Sequence, residues 1–552
     1  MANKKISAAT AISTIVMSDM LPIAKSSDST AYFITLGQAL GKSGVMSLAS
    51  AVVATATSIS MRSVPAWLAS YGGYVVIDIG TQECEVRPIT TVSGNTISFT
   101  TGLTYAHAAN DNVVLISDAL IGVKWFGAKG DDSTNDYTSI ARALTQAGII
   151  KGDVLVPYGT YQIGTGLVLP ENVSLIGESV WGSIIKATAD IVMITLSTGA
   201  ITGYRNAVVE NMRLDGNSLA SVGLSVGQAP MCSFRNLDIV SCTGTLGYGV
   251  LQDRSQNQLW DTVRVDSCEK NFYIANNAAG NTYVNLHCTN GTVSNVVLTT
   301  DATLPGYELG QATPAHLTFY GGNFEISTET ASVEMLDVVN CSRSLWSGVE
   351  FSRASTSTVP VIDIGAGGNY LTFQSCRVNG NSAPSVDMVH ADGFDISFDH
   401  CWFSDLSGAT VLVKTNDADA WVNFNSQIPT NGTFDMAGGG YIHLHPSTKW
   451  VHLPDWELKT IVDGAITITS SRVAVYGQGG VADNLDTING GEEGTLLYLR
   501  AGSGTVDITV RDDGNINLDG AVDFTMDTTL DKIVLLKNPS GDWDEISRSN
   551  NG

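Results

Sequence analysis

The chain has 552 residues, of which 54 are acidic and 29 are basic, so its net charge is −25. No run of Lys and Arg is long enough to follow a phosphate backbone, and no stretch approaches the roughly 18 apolar residues of a membrane span. Nucleic acid binding and membrane insertion are therefore not expected. The 56 glycines and the charged fraction of 15% are typical of many short strands joined by tight turns.

Two segments precede the main body of the chain. Residues 4–40 alternate Ser, Ala and Thr and contain the step DMLPI at 19–23. Residues 64–117 are punctuated by glycines and predict a small β module. Within it, VSGNTISF (92–99) predicts a hairpin that turns at Gly94 and the Asn after it.

A helix is predicted to begin near residue 137. Asp, Ser, Thr and Asn cluster in GDDSTND (130–136), directly before an amphipathic stretch, which is typical of a capped helix start. A bare end of a stacked sheet would leave strand edges open, so we expect this helix to cover the N-terminal end of the fold. The apolar residues of the stretch are Tyr137, Ile140, Ala141 and Leu144.

Internal repeats decide the predicted architecture. Alternating apolar residues followed by one or two polar residues and Cys recur about every 25 residues, as in FRNLDIVSC (234–242), WDTVRVDSC (260–268) and FDISFDHC (394–401). A period-two pattern predicts a half-buried strand, and its repetition without helical patterns between predicts coils stacked into a parallel β-helix. About ten coils are expected over residues 173–427.

The apolar residues of each repeat are expected to fill the interior, with equivalent positions of neighbouring coils about 4.8 Å apart. The eight cysteines form no CxxC pair, so they are expected to be buried free thiols rather than disulfides or zinc ligands. The residues assigned to the interior are Leu237, Ile239, Val263, Val265, Val284, Leu286, Phe373, Ile396 and Phe398.

After about residue 451 the Cys-marked repeats end, and alternating strands with turn residues predict a separate β-sandwich-like domain. The predicted fold class is therefore all-β. Its four parts are an attachment module (1–60), a small β module (61–118), a parallel β-helix (119–450) and a C-terminal β domain (451–552).

Three consecutive motifs carry a family resemblance. FGAKGDDSTND (126–136), VPYGTYQI (156–163) and LPENVSLIGES (169–179) resemble the opening of the pectate-lyase-like right-handed β-helices of bacteriophage tailspikes and polysaccharide depolymerases. The resemblance covers roughly residues 123–445. It implies structural rather than catalytic roles for Asp131, Asp132 and Asp136.

Both ends of the chain extend this resemblance. Residues 4–40 are similar to the short attachment modules of phage tail fibres and spikes, and residues 529–552 to C-terminal strands that trimerise spikes or bind sugar. The implied partners are phage tail or baseplate proteins bound through residues 1–60, two further copies in a homotrimer, and a bacterial surface polysaccharide. The implied location is the virion tail, after assembly in the host cytoplasm, and no cofactor is implied.

A candidate site follows from the outward positions of the repeats. Neighbouring coils present polar side chains in line, and this geometry suits an extended chain of sugars, whose rings stack on aromatic faces while their hydroxyls need fixed donors and acceptors. The predicted catalytic residues are Asp238, Asp266, Glu325 and Glu350. The predicted substrate-binding residues are Arg264, His287, Tyr320 and Trp346.

Hydrolysis of a glycosidic bond needs one protonated and one ionised carboxyl, about 5 Å apart for retention and about 6.5–9.5 Å apart for inversion. Asp238 and Asp266 lie on neighbouring coils with strand offsets that differ by two residues, which favours the longer separation. Glu325 and Glu350 are one coil apart, but their register stays open, because aligning the neighbouring phenylalanines would pair Glu325 with a serine instead.

β-Elimination is the alternative, since it needs a base and a cation that Arg264 with His287 or Tyr320 would supply. His443 and His445 could share a strand face, but two ligands are too few, so no metal site is predicted. We expect a phage tailspike that hydrolyses a capsule or O-antigen polysaccharide. A polysaccharide lyase, a receptor-binding fibre without catalysis and a secreted bacterial lyase remain open.

Overall fold

The computed structural model describes residues 46–64, 73–116, 119–196, 206–304, 312–326, 333–353, 359–380, 387–404, 410–427, 432–436, 440–444 and 456–550. The chain divides into two units, Met1–Thr448 and Lys449–Gly552, which are described separately. None of the helices in these ranges is long and apolar enough to cross a membrane. The expected attachment features of residues 4–40 lie outside the described residues.

A small β module comes first. Its two antiparallel sheets, β1-β7-β3-β4 and β2-β6-β5, share a core that includes Leu48 and Ile59. The predicted hairpin is confirmed, because Ser93 pairs with Thr96 and Gly94 has a φ of 56°. The module begins before the predicted boundary at residue 61, since β1 and β2 pair with strands beyond it. The strands are β1 (Met46–Ser47), β2 (Ser58–Ser60), β3 (Tyr74–Ile77), β4 (Glu85–Pro88), β5 (Thr91–Ser93), β6 (Thr96–Ser98) and β7 (Asn112–Ile116).

The predicted helix is confirmed as α1 (Tyr137–Ile150), which follows a short 3-10 helix at Val123–Phe126. Its buried face, including Ile140 and Leu144, belongs to the same hydrophobic core as the first strands of the parallel β-helix, or solenoid, that follows. The helix α1 therefore covers the beginning of the solenoid as expected. The start of α1 differs from the prediction. Asp136 makes no side-chain cap, and its carboxylate instead accepts backbone N–H bonds from Lys129 and Gly130 at 2.7 and 2.9 Å.

The main body is a right-handed parallel β-helix of about 14 turns, which confirms the predicted architecture. One 27-stranded sheet system contains β8 to β34, and each strand pairs in parallel with its equivalent one coil further on. The strands are β8 (Leu120–Gly122), β9 (Asp131–Asn135), β10 (Asp153–Val156), β11 (Gly159–Ile163), β12 (Leu167–Leu169), β13 (Leu175–Gly177), β14 (Ser183–Ala187), β15 (Val192–Leu196), β16 (Val208–Asp215), β17 (Val222–Gly227), β18 (Ser233–Val240), β19 (Tyr248–Asp253), β20 (Leu259–Asp266), β21 (Lys270–Ala275), β22 (Thr282–Thr289), β23 (Ser294–Thr299), β24 (Thr318–Glu325), β25 (Glu334–Ser347), β26 (Glu350–Ser352), β27 (Ile362–Gln374), β28 (Arg377–Asn379), β29 (Val389–Ala391), β30 (Phe394–Ser404), β31 (Thr410–Lys414), β32 (Trp421–Gln427), β33 (Gly432–Asp435) and β34 (Tyr441–Leu444).

A column of buried aromatic rings runs through the interior. Each ring occupies the same register position as the ring one coil away, and adjacent centroids lie between 4.0 and 6.4 Å apart. Because each ring covers the next, every coil shields its neighbour from water. The members of this aromatic column are Phe234, Trp260, Tyr283, Phe319, Trp346, Phe373, Phe398 and Phe424.

The interior assignments are confirmed for eight of the nine predicted residues, and Val284 is the exception. A corner with positive φ interrupts the alternation in each coil, as at Asn236, Thr262 and Asn285. The residue before this corner faces outward and the residue after it faces inward. Val284 precedes the corner and is therefore only half-buried, whereas Leu286 follows it and is buried. The eight cysteines are free and buried, as expected.

The C-terminal unit is a separate β domain with its own core around Ile488, Leu499 and Trp543. Its largest sheet has the order β35-β37-β40-β44-β45-β42, beside the small sheets β36-β39 and β38-β41-β43. Two 3-10 helices lie at Gln478–Gly480 and Asp519–Ala521. The strands are β35 (Glu457–Thr460), β36 (Ala465–Thr467), β37 (Arg472–Tyr476), β38 (Asp483–Leu485), β39 (Thr487–Asn489), β40 (Leu496–Ala501), β41 (Ile508–Val510), β42 (Ile516–Asn517), β43 (Phe524–Met526), β44 (Lys532–Lys537) and β45 (Trp543–Ser549).

Truncating one ring of the aromatic column tests its contribution to stability. We expect Trp346→Ala to lower the free energy of unfolding by about 3–5 kcal/mol, because it leaves a cavity between Phe319 and Phe373. Trp402→Ala is the matched control, since the Trp402 side chain is 62% exposed. Thermal and urea denaturation would measure both changes, and equal losses in the two variants would contradict the assigned role of the column.

Candidate functional site

A polar column runs along one outer face of the β-helix. Its members occupy one register position in successive coils and alternate in charge for the first three. We call it the arginine column, and its members are Arg213, Asp238, Arg264, His287, Asn323, Glu350, Arg377 and Trp402. Four of the sequence-predicted residues therefore lie in this column, and two more, Asp266 and Glu325, lie two positions beyond a member on the same strand.

Arg264 joins the two aspartates that the sequence predicted as a catalytic pair. Its Nη1 donates to Asp238 Oδ1 and its Nη2 to Asp266 Oδ2, both at 2.8 Å. Arg213 Nη1 lies 3.6 Å from the other Asp238 oxygen. The Asp238 side chain is almost completely buried, so its charge depends on these two guanidinium groups. The predicted two-residue offset is confirmed, because Asp238 pairs with Arg264 and Val240 with Asp266.

Further donors reach the second aspartate. Asp266 also accepts hydrogen bonds from Thr289 Oγ1 at 2.8 Å and Asn290 Nδ2 at 2.9 Å. Together with the two arginines, these contacts hold both carboxyl groups in place. Beside them, burial and the Arg264 charge lower the pKa of His287, which favours a neutral imidazole.

The structure resolves the strand register that the sequence left open for the two glutamates. Glu325 pairs with Ser352, and Glu350 pairs with Asn323, so the two glutamates are offset by two positions like the aspartates. Asn323 Nδ2 donates to Glu325 Oε2 at 2.7 Å. Glu350 lies 3.6 Å from Arg377 Nη1 on the next coil.

The two predicted aromatic contacts have different outcomes. Tyr320 is 47% exposed, but it precedes the corner and lies on a different register column from Arg264. The assignment of Trp346 to substrate binding is wrong, because its side chain is fully buried in the aromatic column. The positive φ of Arg343 shifts the inward and outward alternation of side chains by one residue. Trp346 therefore faces the interior.

A second cluster of titratable side chains lies on another face of the solenoid, and the sequence analysis missed it. Asp337 of β25 pairs in register with Asp363 of β27, which pairs with His390 of β29 and then with Lys414 of β31. We call these residues the acid column. A signal was present in the sequence: each aspartate stands between two apolar residues, in LDV (336–338) and IDI (362–364). The segments around Asp337 and Asp363 did not align with the Cys-marked repeats.

The two aspartates of the acid column have contrasting surroundings. Burial raises the pKa of Asp337 to about 7, and the charges of Asp363 and Glu334 act in the same direction. Asp363 instead accepts a charge-assisted hydrogen bond from His390 Nδ1 at 2.9 Å. Neighbouring coils therefore present a carboxyl that holds its proton near neutral pH beside a paired carboxylate.

His390 is fixed from both sides. Its Nε2 lies 3.1 Å from Asp392 Oδ2 and 2.7 Å from Asn416 Nδ2. The hydrogen bond to Asp363 raises the pKa of His390 against the opposing effect of burial, and the charges of Asp392 and Asp387 raise it further. His390 therefore holds the Asp363 carboxyl in a fixed orientation through Nδ1.

Lys270 provides a positive charge on the N-terminal side of this cluster. Its ammonium lies 5.3 and 5.2 Å from the ring centroids of Tyr248 and Tyr273, which stack on each other at 4.7 Å. Its charge opposes the rise in the Asp337 pKa without cancelling it. Both tyrosines are buried in a small apolar cluster outside the interior core, so they position Lys270 rather than offer an open stacking face.

The comparisons with known proteins agree with this architecture. Residues 120–357 match the family model "Rhamnogalacturonase A/epimerase, pectate lyase-like". This confirms the pectate-lyase-like resemblance. The preneck appendage protein of Bacillus phage PZA and the corresponding protein of Bacillus phage phi29 are each 27% identical over 191 residues, which cover 29% of this chain. The chain spans about a fifth of the length of these relatives, since the match covers 21% of each.

Solved structures to which the chain is similar include an epimerase module and a phage tailspike. The Azotobacter vinelandii mannuronan C-5 epimerase AlgE6 A-module has a TM-score of 0.43 and 14% identity, covering 59% of this chain and 99% of the module. The gp42 tailspike of Acinetobacter phage vb_AbaP_AS12 has a TM-score of 0.42 and 10% identity, covering 80% of this chain and 84% of the tailspike.

The opposite surroundings of the two aspartates predict opposite effects of substitution on stability. A carboxyl whose pKa is raised by folding destabilises the native state once the pH exceeds its unfolded value, and the loss grows up to the folded value of about 7. We therefore expect Asp337→Asn to raise the melting temperature at pH 8 and to change it little at pH 4.

Asp363→Asn serves as the contrasting variant. It removes the partner that raises the pKa of His390, a contribution present below the unfolded His value near 6.5 and lost as the pH rises through the folded value. We expect a lower melting temperature at pH 5 and a smaller loss at pH 9. Scanning calorimetry would measure both variants, and a destabilised Asp337→Asn at pH 8 would contradict the assignment.

Proposed function

We propose that this protein is a phage appendage enzyme that binds a bacterial surface polysaccharide and hydrolyses its glycosidic bonds at Asp337 and Asp363. The pectate-lyase-like match and the relationship to phage preneck appendage proteins support the setting. The long solenoid faces support a polymeric substrate, because they present side chains at about 4.8 Å intervals along one direction. Attachment through residues 1–60 and a homotrimeric state remain part of this proposal.

The observation that carries the proposal is the pairing, on adjacent coils, of a carboxyl of raised pKa with a carboxyl that contacts a histidine. Burial raises the pKa of Asp337 to about 7, and His390 Nδ1 lies 2.9 Å from Asp363 Oδ1. Directly paired residues on adjacent strands are about 4.8 Å apart, close to the roughly 5–5.5 Å between the carboxyls of retaining glycosidases. This spacing favours retention of anomeric configuration.

In the proposed first step, Asp337 donates its proton to the glycosidic oxygen while Asp363 attacks the anomeric carbon. The bond from that carbon to the leaving sugar breaks, and a covalent glycosyl ester with Asp363 forms. In the second step, Asp337 removes a proton from water, which attacks the same carbon and releases Asp363. His390 positions Asp363, and Lys270 offers a cation to an acidic sugar bound nearby.

The arginine column supports a second candidate function, which is β-elimination of a uronate. His287 has a lowered pKa and lies one coil from Arg264, so a neutral base stands beside a guanidinium that would stabilise the developing charge. Hydrolysis by Asp238 with Asp266, or by Glu325 with Glu350, remains a prediction from the sequence. We favour the acid column because the pKa of Asp337 is raised to about 7, which suits a general acid near neutral pH.

Substitutions in the two columns distinguish these mechanisms. We expect Asp337→Asn and Asp363→Asn each to reduce kcat for polysaccharide cleavage by at least about 100-fold, because each removes a reacting group. The double variant Asp238→Asn with Asp266→Asn should retain cleavage by the acid column. New reducing ends in a panel of capsular and O-antigen polysaccharides would measure activity, and circular dichroism would verify folding.

The alternative results are equally specific. Loss of cleavage in the Asp238/Asp266 variant with full activity in Asp337→Asn would return catalysis to the arginine column. Unsaturated uronate products, detected by their ultraviolet absorbance, would indicate elimination. Binding of a polysaccharide without cleavage by the wild-type protein would leave a receptor-binding appendage.

The pH dependence gives a further test. The general acid must be protonated, so we expect kcat/KM to fall tenfold per pH unit above the Asp337 pKa of about 7. Measuring initial rates from about pH 5 to 9 would locate this limb. A rate that is constant or rising between pH 7 and 9 would contradict the role of Asp337 as the acid.

A further inference from the structure

A candidate metal site lies in the small β module, away from both polar columns. Asp78 follows β3, His107 forms an isolated bridge with Val52, and Asp111 directly precedes β7. One ligand atom from each of these three side chains lies within 4.8 Å of the other two. The fold therefore brings together one carboxylate from the end of β3 with an imidazole and a carboxylate that lie four residues apart before β7.

The histidine is the decisive member because one of its nitrogens has no partner. The His107 side chain is fully buried, and its Nε2 lies 3.1 Å from Glu85 Oε1. Its Nδ1 is buried and has no hydrogen-bond partner among the described residues. The nearest carboxylate oxygen, Asp111 Oδ2, lies 3.9 Å away, which is too far for a hydrogen bond.

Glu85 determines which nitrogen carries the proton. Its carboxylate accepts backbone N–H bonds from Thr104 and Tyr105, both at 2.7 Å, and pairs with the buried Arg87. With these donors around it, the Glu85 carboxylate accepts the hydrogen bond from His107 Nε2–H. This tautomer leaves the lone pair on Nδ1, which lies on the side of Asp111.

The aspartates are held in place but remain reachable from solvent. Asp78 Oδ2 accepts a hydrogen bond from Thr81 Oγ1 at 2.8 Å, and Asp111 Oδ2 accepts one from the Ala108 N–H at 2.7 Å. Both side chains are partly exposed, whereas His107 is buried. An ion can therefore enter from the solvent side and keep a water molecule as a further ligand.

We propose that Asp78, His107 and Asp111 bind a divalent transition metal, with Zn²⁺ as the first candidate. Three protein ligands with one open position suit Zn²⁺, and two carboxylates match its charge. Glu85 supplies the carboxylate behind the histidine that orients such ligands and increases their basicity. Metal bonds of about 2.0–2.1 Å place tetrahedral ligand atoms about 3.3 Å apart, so binding requires only a local contraction.

The predicted consequence is structural. The ion would tie the end of β3 to the segment that bridges Val52 and to the turn before β7, at the edge of the β3–β7 pair. Because the ion binds the folded module and not the unfolded chain, it should raise the melting temperature in proportion to the logarithm of its free concentration.

The test uses the tag-free full chain, treated with a chelator and dialysed into buffer without phosphate or imidazole. We expect isothermal titration with Zn²⁺ to show one site per chain and calorimetry to show a Zn²⁺-dependent rise in melting temperature. Asp78→Asn and Asp111→Asn should each weaken binding at least tenfold and remove most of that rise. Each variant should keep the melting temperature of the metal-free wild type.

Two control variants keep the result specific. Asp463→Asn removes an exposed carboxylate in the C-terminal unit, and His443→Gln removes a surface histidine of the solenoid, so both should bind Zn²⁺ like the wild type. Failure of the wild type to bind Zn²⁺, Mn²⁺ or Ni²⁺ would overturn the proposal. Unchanged binding in both aspartate variants, or loss of binding in His443→Gln, would also overturn it.

Discussion

The stacking of each coil on the next is the interaction on which the rest of the structure depends. A single coil has too little apolar surface to remain folded, whereas the aromatic column stacks each coil from Phe234 to Phe424 on the next. Because the interior side chains of neighbouring coils stack in register, their outward-facing side chains are aligned in register as well. Side chains that are about 25 residues apart in the chain therefore become direct neighbours, and both polar columns are consequences of this spacing.

The aspartates of the two polar columns have neighbours of opposite charge. In the arginine column, Asp238 is buried with guanidinium groups on both sides, so its negative charge is stabilised. In the acid column, Asp337 is half-buried, and its charged neighbours include Asp363 and Glu334, which help to raise its pKa to about 7. The same backbone thus produces one face where carboxyls meet guanidinium groups and one face where carboxyls meet each other, and the residue that follows one coil later makes the difference.

Much of the fold could be predicted from the sequence because a solenoid repeats a local pattern. The coil spacing, the covering helix and the interior positions Leu237 and Val265 all follow from alternation and turn residues. Val284 and Trp346 were misplaced for one reason, which is that a corner with positive φ resets the alternation within a coil. Such a corner is usually marked by Asn or Gly, but Thr262 and Arg343 show that it need not be.

The candidate site was less accessible to sequence analysis. The proximity of Asp238, Arg264 and Asp266 followed from the offset of two aligned repeats, and it is observed. Asp337 and Asp363 escaped because the chemistry of a carboxyl depends on burial and on its cross-coil neighbours, neither of which is local in sequence. In the sequence, a single aspartate between two apolar residues indicates an ordinary strand position. Only the strand register places a second aspartate beside it.

The burial of the cysteines has a practical consequence. All eight thiols are enclosed, six of them at the interior of successive coils from Cys242 to Cys401. Maleimide or disulfide chemistry on the native protein should therefore find little to react with. A cysteine engineered at a chosen exposed position would therefore be the reactive thiol of the native protein. Dyes, spin labels or crosslinkers could be attached at a chosen coil of the β-helix without first removing natural thiols.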